Sequence, residues 1–497
     1  MLLHACYYKA GLKELGQVVR GIFVHGCRVT VFSIYVHVPC LYGNRNKWDI
    51  RSMETFLEPP RQVRIVADAD ICVVGGSCTG LFAAIRAARL GARVILIEQR
   101  GAFGGVATIS LVNVWHSRMD ETFERQIFAG LSIETMERLK KRDAVRCREG
   151  SPDWEWAFNP FELQIELDEM VRENRIQVML HTMVVAPCMQ DGAVYGVFIE
   201  NKNGRGLVRA KCFIDATGDG DLCSRIGLET YHNEHPQPPT TCALYEGWQR
   251  DNFDIGALMR KHGEEFNLPR GFQWGAPLPG CHTFMLAGTR VTGVDCSSAD
   301  ELTIAEMEGR RQVRATMDLV RKYRPDVPLK LVGLPARLGI RETRHVRALH
   351  QLTGQEVLSG VRFPDAIANG SYRVDIHHQE RAGLTFQYLS GRQLYIEPGA
   401  PAREDRWRPV TEVNPTFYQI PYRCLVPPGI PNLLMAGRMI DADQAAHGAI
   451  RVMVNMNQTG EAAGVAAVLA LESGIPVDRV DTVKLRAKLA EGGSVML

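Results

Sequence analysis

Residues 70–98, DICVVGGSCTGLFAAIRAARLGARVILIE, decide the fold. The apolar run from Ile71 to Val74 is too short for a helix and predicts a buried parallel strand. A turn with Gly75, Gly76 and Gly80 follows. Next comes a small-residue stretch that predicts a helix, stopped by Gly91. A second apolar run, Val94 to Ile97, predicts the next strand and ends on Glu98. Together these parts make a dinucleotide-binding unit. The glycines let the backbone turn tightly and approach a pyrophosphate, which then sits on a helix N-terminus. Glu98 follows Gly75 by 23 residues, where an acid accepts hydrogen bonds from ribose hydroxyls. A carboxylate there also repels a 2′-phosphate and argues against NADP. One position departs from G-x-G-x-x-G: Ser77 stands where the second glycine belongs. The turn residues Gly75, Gly76, Ser77, Thr79 and Gly80 and the acid Glu98 are the candidate nucleotide ligands.

Composition sets the frame. A chain of 497 residues is too long for one simple core and predicts interleaved domains. Apolar content of 45% and charged content of 23% suit a globular protein. A net charge of +2 gives no electrostatic case for nucleic acid or an acidic membrane surface. No apolar run reaches the length of a membrane span. The 13 cysteines are scattered and odd in number, which reads as reduced thiols and a cytoplasmic setting. No C-x-x-C pair supports an iron–sulfur cluster or redox disulfide, and no metal site is expected. Cys72 and Cys78 read as small core fillers. Residues 1–52 carry no clear period and no signal-peptide pattern. Met53 lies just ahead of the nucleotide unit, so this segment reads either as a true extension or as the product of a mis-assigned start.

Farther along, RGAFGGVATISLVNVW (100–115) places Gly104-Gly105 as a second flexible turn near the first. Residues 123–142 predict a charged amphipathic helix. Residues 161–173 predict a helix behind Asn159-Pro160. Strands are expected at 177–181, 194–200 and 207–213, with Asp191-Gly192 and Asn203-Gly204 as turns. The last runs into FIDATGDGD (213–221), which reads equally as a capped turn or a cofactor contact through Gly218. Residues 231–420 have a different texture, rich in proline and spread aromatics. Their clearest helix is 301–323, with Asp300 as its cap. A nucleotide-domain pattern then returns: a strand at 432–436, Gly437-Arg438, and a small-residue helix at 459–471.

The segments VVGGSCTG, Gly104-Gly105, ATGDGD (216–221) and LLMAGRMIDADQAAHGAIRVMVNMNQTGEAAGVAA (433–467) resemble the FAD-dependent oxidoreductase family, related to the flavoprotein subunits of fumarate reductase and succinate dehydrogenase. GIRETRHV (339–346) and YRVDIHH (372–378) are similar to its internal motifs. The resemblance spans residues 68–472. It implies FAD, with Gly437 at the ribityl and ring end and Asp441 as a ribityl partner. No recognisable His or Cys attachment motif precedes Gly104-Gly105, so the flavin is expected to bind non-covalently. AHGAIR (446–451) is similar to the H-G-x-x-R element of fumarate-reductase-type flavoproteins, which points to His447 and Arg451 as substrate-facing catalytic residues. Arg341, Arg344, His377 and His378 form a second tier. The expected fold is α/β: a three-layer Rossmann-like FAD/NAD(P)-binding domain on a parallel sheet, with an inserted α+β substrate lobe. The expected boundaries are 1–67 (extension), 68–230 (FAD domain), 231–420 (lobe) and 421–497 (return to the FAD domain). The expected reaction is hydride transfer between a small-molecule substrate carbon and flavin N5, with an electron partner the sequence does not name. An RNA-modifying flavoenzyme and a flavin-binding protein without turnover are the alternatives.

Overall fold

A computed structural model describes residues 20–25, 28–33, 55–151, 155–248, 253–397 and 400–497. The chain divides into two units, Met1–Gln62 and Val63–Leu497. In the first, the strands Arg20–His25 and Arg28–Ser33 pair as an antiparallel hairpin. The rest of residues 1–52, where the extension or mis-assigned start was expected, lies outside the described residues.

The second unit is built on a seven-stranded sheet. Its order is Gln177–Met179, Val94–Ile97, Arg64–Val74, Gly204–Asp215, Ala193–Asn201, Met183–Gln190, with Leu433–Met435 added beside Gly204–Asp215. The pairs among the first four are parallel, as is the pair with Leu433–Met435. The two remaining strands join antiparallel. Ile71 to Val74 and Val94 to Ile97 are buried on both faces, which is why each reads as an unbroken apolar run. The first strand begins at Arg64, earlier than its apolar run. Arg64, Ile65, Val66 and Asp68 are exposed, and this stretch is held by pairing with residues from Gly206 to Arg209 rather than by burial.

The helix Cys78–Arg89 is capped by Ser77, whose Oγ accepts from Gly80 N. Met453–Ser473 packs across it at very short range. A Cβ added at Gly460 would stand 2.0 Å from Thr79 O, and one at Gly464 would stand 2.2 Å from Ala83 O. The glycines and alanines of TGEAAGVAA therefore set the distance between the two helices.

Several boundaries move. The helix expected at 123–142 is only Leu131–Lys140. Phe123 has a positive φ of 60°, and Asp120 accepts from Glu124 N in a turn. Pro160–Glu173 forms as read, with Asn159 Oδ1 accepting from Phe161 N. The long helix is Ala299–Tyr323, and Asp300 lies in its first turn instead of capping it. The last nucleotide-domain helix starts at Met453, six positions before the expected start. Its extra turn carries Asn455, Asn457 and Gln458, which look like loop residues but are buried on Tyr418, Ser132 and Asn369.

The region 231–420 does not pack as one lobe. The antiparallel sheet Trp274–Pro277, Phe284–Ala287, Cys242–Glu246 and Lys330–Gly333 shares an apolar core with Ala299–Tyr323. It has its own small core around Tyr245, Leu286, Val313 and Leu319. Leu352, Ile367, Tyr418 and Ile420 instead belong to the main core. No helix among the described residues is long and apolar enough to cross a membrane.

Deleting residues 1–52 is expected to leave the second unit folded, because the large sheet begins at Arg64. Circular dichroism and a thermal melt check this. An insoluble product would make the segment part of the fold.

Candidate functional site

The parallel strands Arg64–Val74, Val94–Ile97, Gly204–Asp215 and Leu433–Met435 all end on the same side of the sheet, where open α/β sheets bind ligands. A cavity of about 610 Å³ runs along those ends. Its wall includes Glu98, Arg100 and Thr182 to Val184, the turn residues Gly75, Ser77 and Thr79 with Gly104, Gly105, Gly218 and Gly437, and a charged group made of Arg341, Tyr372, Arg373, Asp375, His377 and Arg451.

Gly75 holds the first turn open. Its φ is +106°, and an added Cβ would stand 2.4 Å from Ala216 O. The turn delivers the N-terminus of Cys78–Arg89 to the cavity, with no acid in the helix's first turn to cancel its positive end. Glu98 is locked by two backbone donors, Gly76 N at 2.6 Å and Arg100 N at 2.8 Å. Its remaining lone pairs suit hydroxyl donors. Gly104 N donates to Gly76 O, which closes the second glycine turn against the first. Behind Gly218, Arg438 donates to Asp219, as do Arg337 and Thr343. Burial opposes the Asp219 charge, but Arg438 and Arg337 hold its carboxyl below the usual range.

Of the sequence candidates, Gly75, Ser77, Thr79, Glu98, Gly104, Gly105, Gly218, Gly437 and Arg451 line this cavity. Gly76, Gly80, Asp441 and His447 do not. Gly76 and Gly80 shape the turn from behind: a Cβ at Gly80 would stand 2.0 Å from Gly75 O. Asp441 is buried at a chain corner, where Tyr231 Oη donates to Oδ1 at 2.7 Å and Ala348 N to Oδ2 at 2.9 Å. Those bonds occupy the carboxylate that was expected to meet a ribityl chain. His447 is buried, with Nε2 donating to Arg341 O at 3.2 Å and its ring edge-on to His345. Burial pushes it down to about 3, so the ring is neutral. It buttresses the backbone of a cavity residue instead of facing the cavity itself.

In the second tier, Arg341 and His377 line the cavity, and Arg344 and His378 do not. Arg344 donates to Ser224 Oγ, and His378 pairs with Thr385 Oγ1. Glu342, His345 and His447 approach one another closely enough to suggest metal ligands. However, Asn233 Nδ2 and Gln237 N already occupy the two oxygens of Glu342.

Sequence reading missed Arg373 and Asp375. The signal was present: Arg373, Asp375 and His377 alternate along YRVDIHH, and alternate residues of a strand share a face. Asp375 is buried. Arg451 Nη2 donates to its Oδ2 at 2.9 Å, and so does Tyr372 Oη at 2.9 Å. His377 Nε2 lies 3.4 Å from Oδ1. Burial opposes this charge too, but His377 and Arg451 hold the carboxyl far below its usual range. Arg341 donates to Pro238 O at 2.5 Å and is pushed down to about 10 by burial and by Arg451. The guanidinium of Arg373 lies 3.8 Å from the centre of the Phe386 ring. Arg341 and Arg451 thus lie near one buried carboxylate, Asp375, so this pair of guanidiniums outnumbers the acid between them.

The wall suits a flavin dinucleotide on its own chemistry. It offers a glycine cradle that a Cβ would fill, a helix N-terminus and a fixed ribose-type acid. It also offers Asn457 Oδ1, a buried acceptor without a partner.

Residues 70–489 match the family described as FAD dependent oxidoreductase. A mitochondrial dihydrolipoyl dehydrogenase from Schizosaccharomyces pombe is 33% identical over 85 residues, which are 15% of this chain and 17% of that protein's length. Among solved structures, a geranylgeranyl bacteriochlorophyll reductase-like protein from Thermoplasma acidophilum is 13% identical. That match covers 86% of this chain and 84% of the other, with a TM-score of 0.45. A flavin-dependent brominase is 12% identical over 85% and 83% of the two chains, with a TM-score of 0.42.

Proposed function

The chain belongs to the FAD-dependent oxidoreductase family, and from that premise we propose that it moves a hydride between flavin N5 and a carbon of a small anionic substrate. The observation that carries the substrate half is that Arg341 and Arg451 both line the cavity with a single buried carboxylate, Asp375, between them. FAD, when bound, supplies a two-electron acceptor or donor. The protein supplies position and charge. Gly75, Ser77 and Thr79 face the pyrophosphate with helix-end N–H groups. Glu98 takes ribose hydroxyls. Gly104, Gly105, Gly218 and Gly437 leave room for the ribityl chain and ring. The N-terminus of Met453–Ser473 lines the cavity at Met453, and its positive end would stabilise negative charge on a bound reduced flavin. Arg451 and Arg341 bind substrate oxygens, since guanidinium forks match carboxylates. Kinship with the fumarate reductase and succinate dehydrogenase flavoproteins is part of this proposal and rests on AHGAIR. Arg451 is the member of that element on the cavity.

Anaerobic mixing with carboxylates, polyols and sugars tests the reading through bleaching of the flavin. Arg451→Ala is expected to retain FAD and to lose roughly 100- to 1000-fold in the rate of bleaching, the usual effect of removing one charge-stabilising donor. Loss of FAD with normal turnover after reconstitution would make Arg451 a packing residue.

A further inference from the structure

We propose that His377, oriented by Asp375, carries the proton in this cavity, and that the substrate it serves is a carboxylate bearing a hydroxyl group. The proposal rests on the hydride-transfer reading above and deepens it.

The geometry starts with the strand Val374–His377. Asp375 and His377 stand two residues apart and both line the cavity. Asp375 Oδ1 faces His377 Nε2 at 3.4 Å. No aligned hydrogen bond joins the two atoms, and Asp375 Oδ1 is a buried acceptor without one; the negative charge beside Nε2 still favours the tautomer with the proton there over a lone pair facing the carboxylate, which leaves Nδ1 as the basic atom. Asp375 is itself fixed: Arg451 and Tyr372 both donate to its other oxygen, and Gln237 donates to its backbone carbonyl at 3.0 Å. His377 is therefore a neutral base braced from behind. Burial and Arg341 push it down to about 4 against the pull of Asp375. His447 has no such placement, because its Nε2 is spent on Arg341 O.

The charged groups around His377 indicate what it acts on. Arg341, Arg373 and Arg451 hold an anionic end of the substrate beside it, which brings a neighbouring hydroxyl to the ring. In oxidation, the hydroxyl proton passes to His377 Nδ1. The carbinol C–H bond breaks, and its hydrogen leaves with the electron pair as hydride to oxidised flavin. The O–H pair becomes the second bond of C=O. The substrate loses two electrons and the flavin gains two.

The probes are benzoate, a carboxylate that cannot be oxidised, and a panel of hydroxy acids: lactate, mandelate and 2-hydroxyglutarate. Wild-type flavin should be bleached anaerobically by a member of the panel. His377→Asn should keep its FAD content and its benzoate affinity, read from the flavin spectrum. It should bleach roughly 100- to 10,000-fold more slowly, the range for loss of a general base. Nitrogen-15 NMR of histidine-labelled wild-type protein should show a neutral ring with its proton on Nε2. The His377→Gln spectrum supplies the assignment should the Asn variant fail to fold. A proton on Nδ1, unchanged bleaching in the variant, or a wild-type flavin reduced by none of the hydroxy acids would overturn the inference. A protein that holds FAD and benzoate but reacts only with substrates lacking a hydroxyl would defeat this inference alone. A protein that holds no FAD would defeat the parent reading.

Discussion

Gly75→Val protein is expected to purify colourless, while wild-type protein is yellow. The reason lies in the turn itself. Gly75 sits at φ +106°, where a β-branched residue is strongly strained. Its Cβ would also stand 2.4 Å from the carbonyl oxygen of Ala216 and 2.6 Å from the carbonyl carbon. That oxygen is backbone and cannot rotate away. Relief requires the turn to move, and the turn carries the helix N-terminus that lines the cavity and is proposed to receive the pyrophosphate. The sequence alone suggests that valine blocks the phosphate directly. The structure assigns the damage to the contact between two strand ends. Flavin released by denaturation and quantified against protein gives the answer, with circular dichroism reporting whether the fold persists. Normal flavin content in Gly75→Val would remove Gly75 from the cofactor site.

The same stretch shows why so much of the fold was legible. Residues 70–98 pack strand, turn, helix, strand and acid into one contiguous segment, so local pattern and tertiary role coincide. Legibility falls wherever a partner distant in sequence decides. The exposed start of Arg64–Val74 is held as a strand by Gly204–Asp215 running beside it. The first turn of Met453–Ser473 is helical because Tyr418, Ser132 and Asn369 satisfy its buried amides. His447 and Arg451 part company for a related reason. AHGAIR was read through a motif, which put His447 beside Arg451. In a helix with Arg451 at its C-terminal cap, residues four apart share a face only approximately, and here only Arg451 reaches the cavity. YRVDIHH, read by period two, would have grouped Arg373, Asp375 and His377 with no motif at all.

Glu461 is a stability element that the sequence displays in plain view. It stands alone among alanines and glycines in TGEAAGVAA, and a carboxylate in so apolar a helix needs a buried partner. That partner is Arg86, with Nε 2.9 Å from Glu461 Oε2 and both side chains almost fully buried. Leu131 N donates to the other oxygen at 3.1 Å. Arg86 also donates to Gly492 O, Leu489 O and Ser494 Oγ, so one guanidinium ties both cofactor-domain helices to the end of the chain. Glu461→Ala removes the anion and leaves Arg86 charged and buried, which costs about 3–5 kcal/mol. A lower urea midpoint at alkaline pH measures it. The pH dependence has a definite sign. Burial raises the Glu461 carboxyl from 4.5 to about 7, against the pull of Arg86. A folded value above the unfolded one means that folding favours the protonated form. The resulting stability is complete below about 4.5 and is lost as pH rises through about 7. Glu461→Gln keeps an acceptor for Leu131 N but cannot titrate, so its stability profile should flatten across that window relative to wild type. A glutamine variant with the wild-type slope would place the titration elsewhere, and an alanine variant with an unchanged midpoint would show that Arg86 is held by the chain-end carbonyls alone.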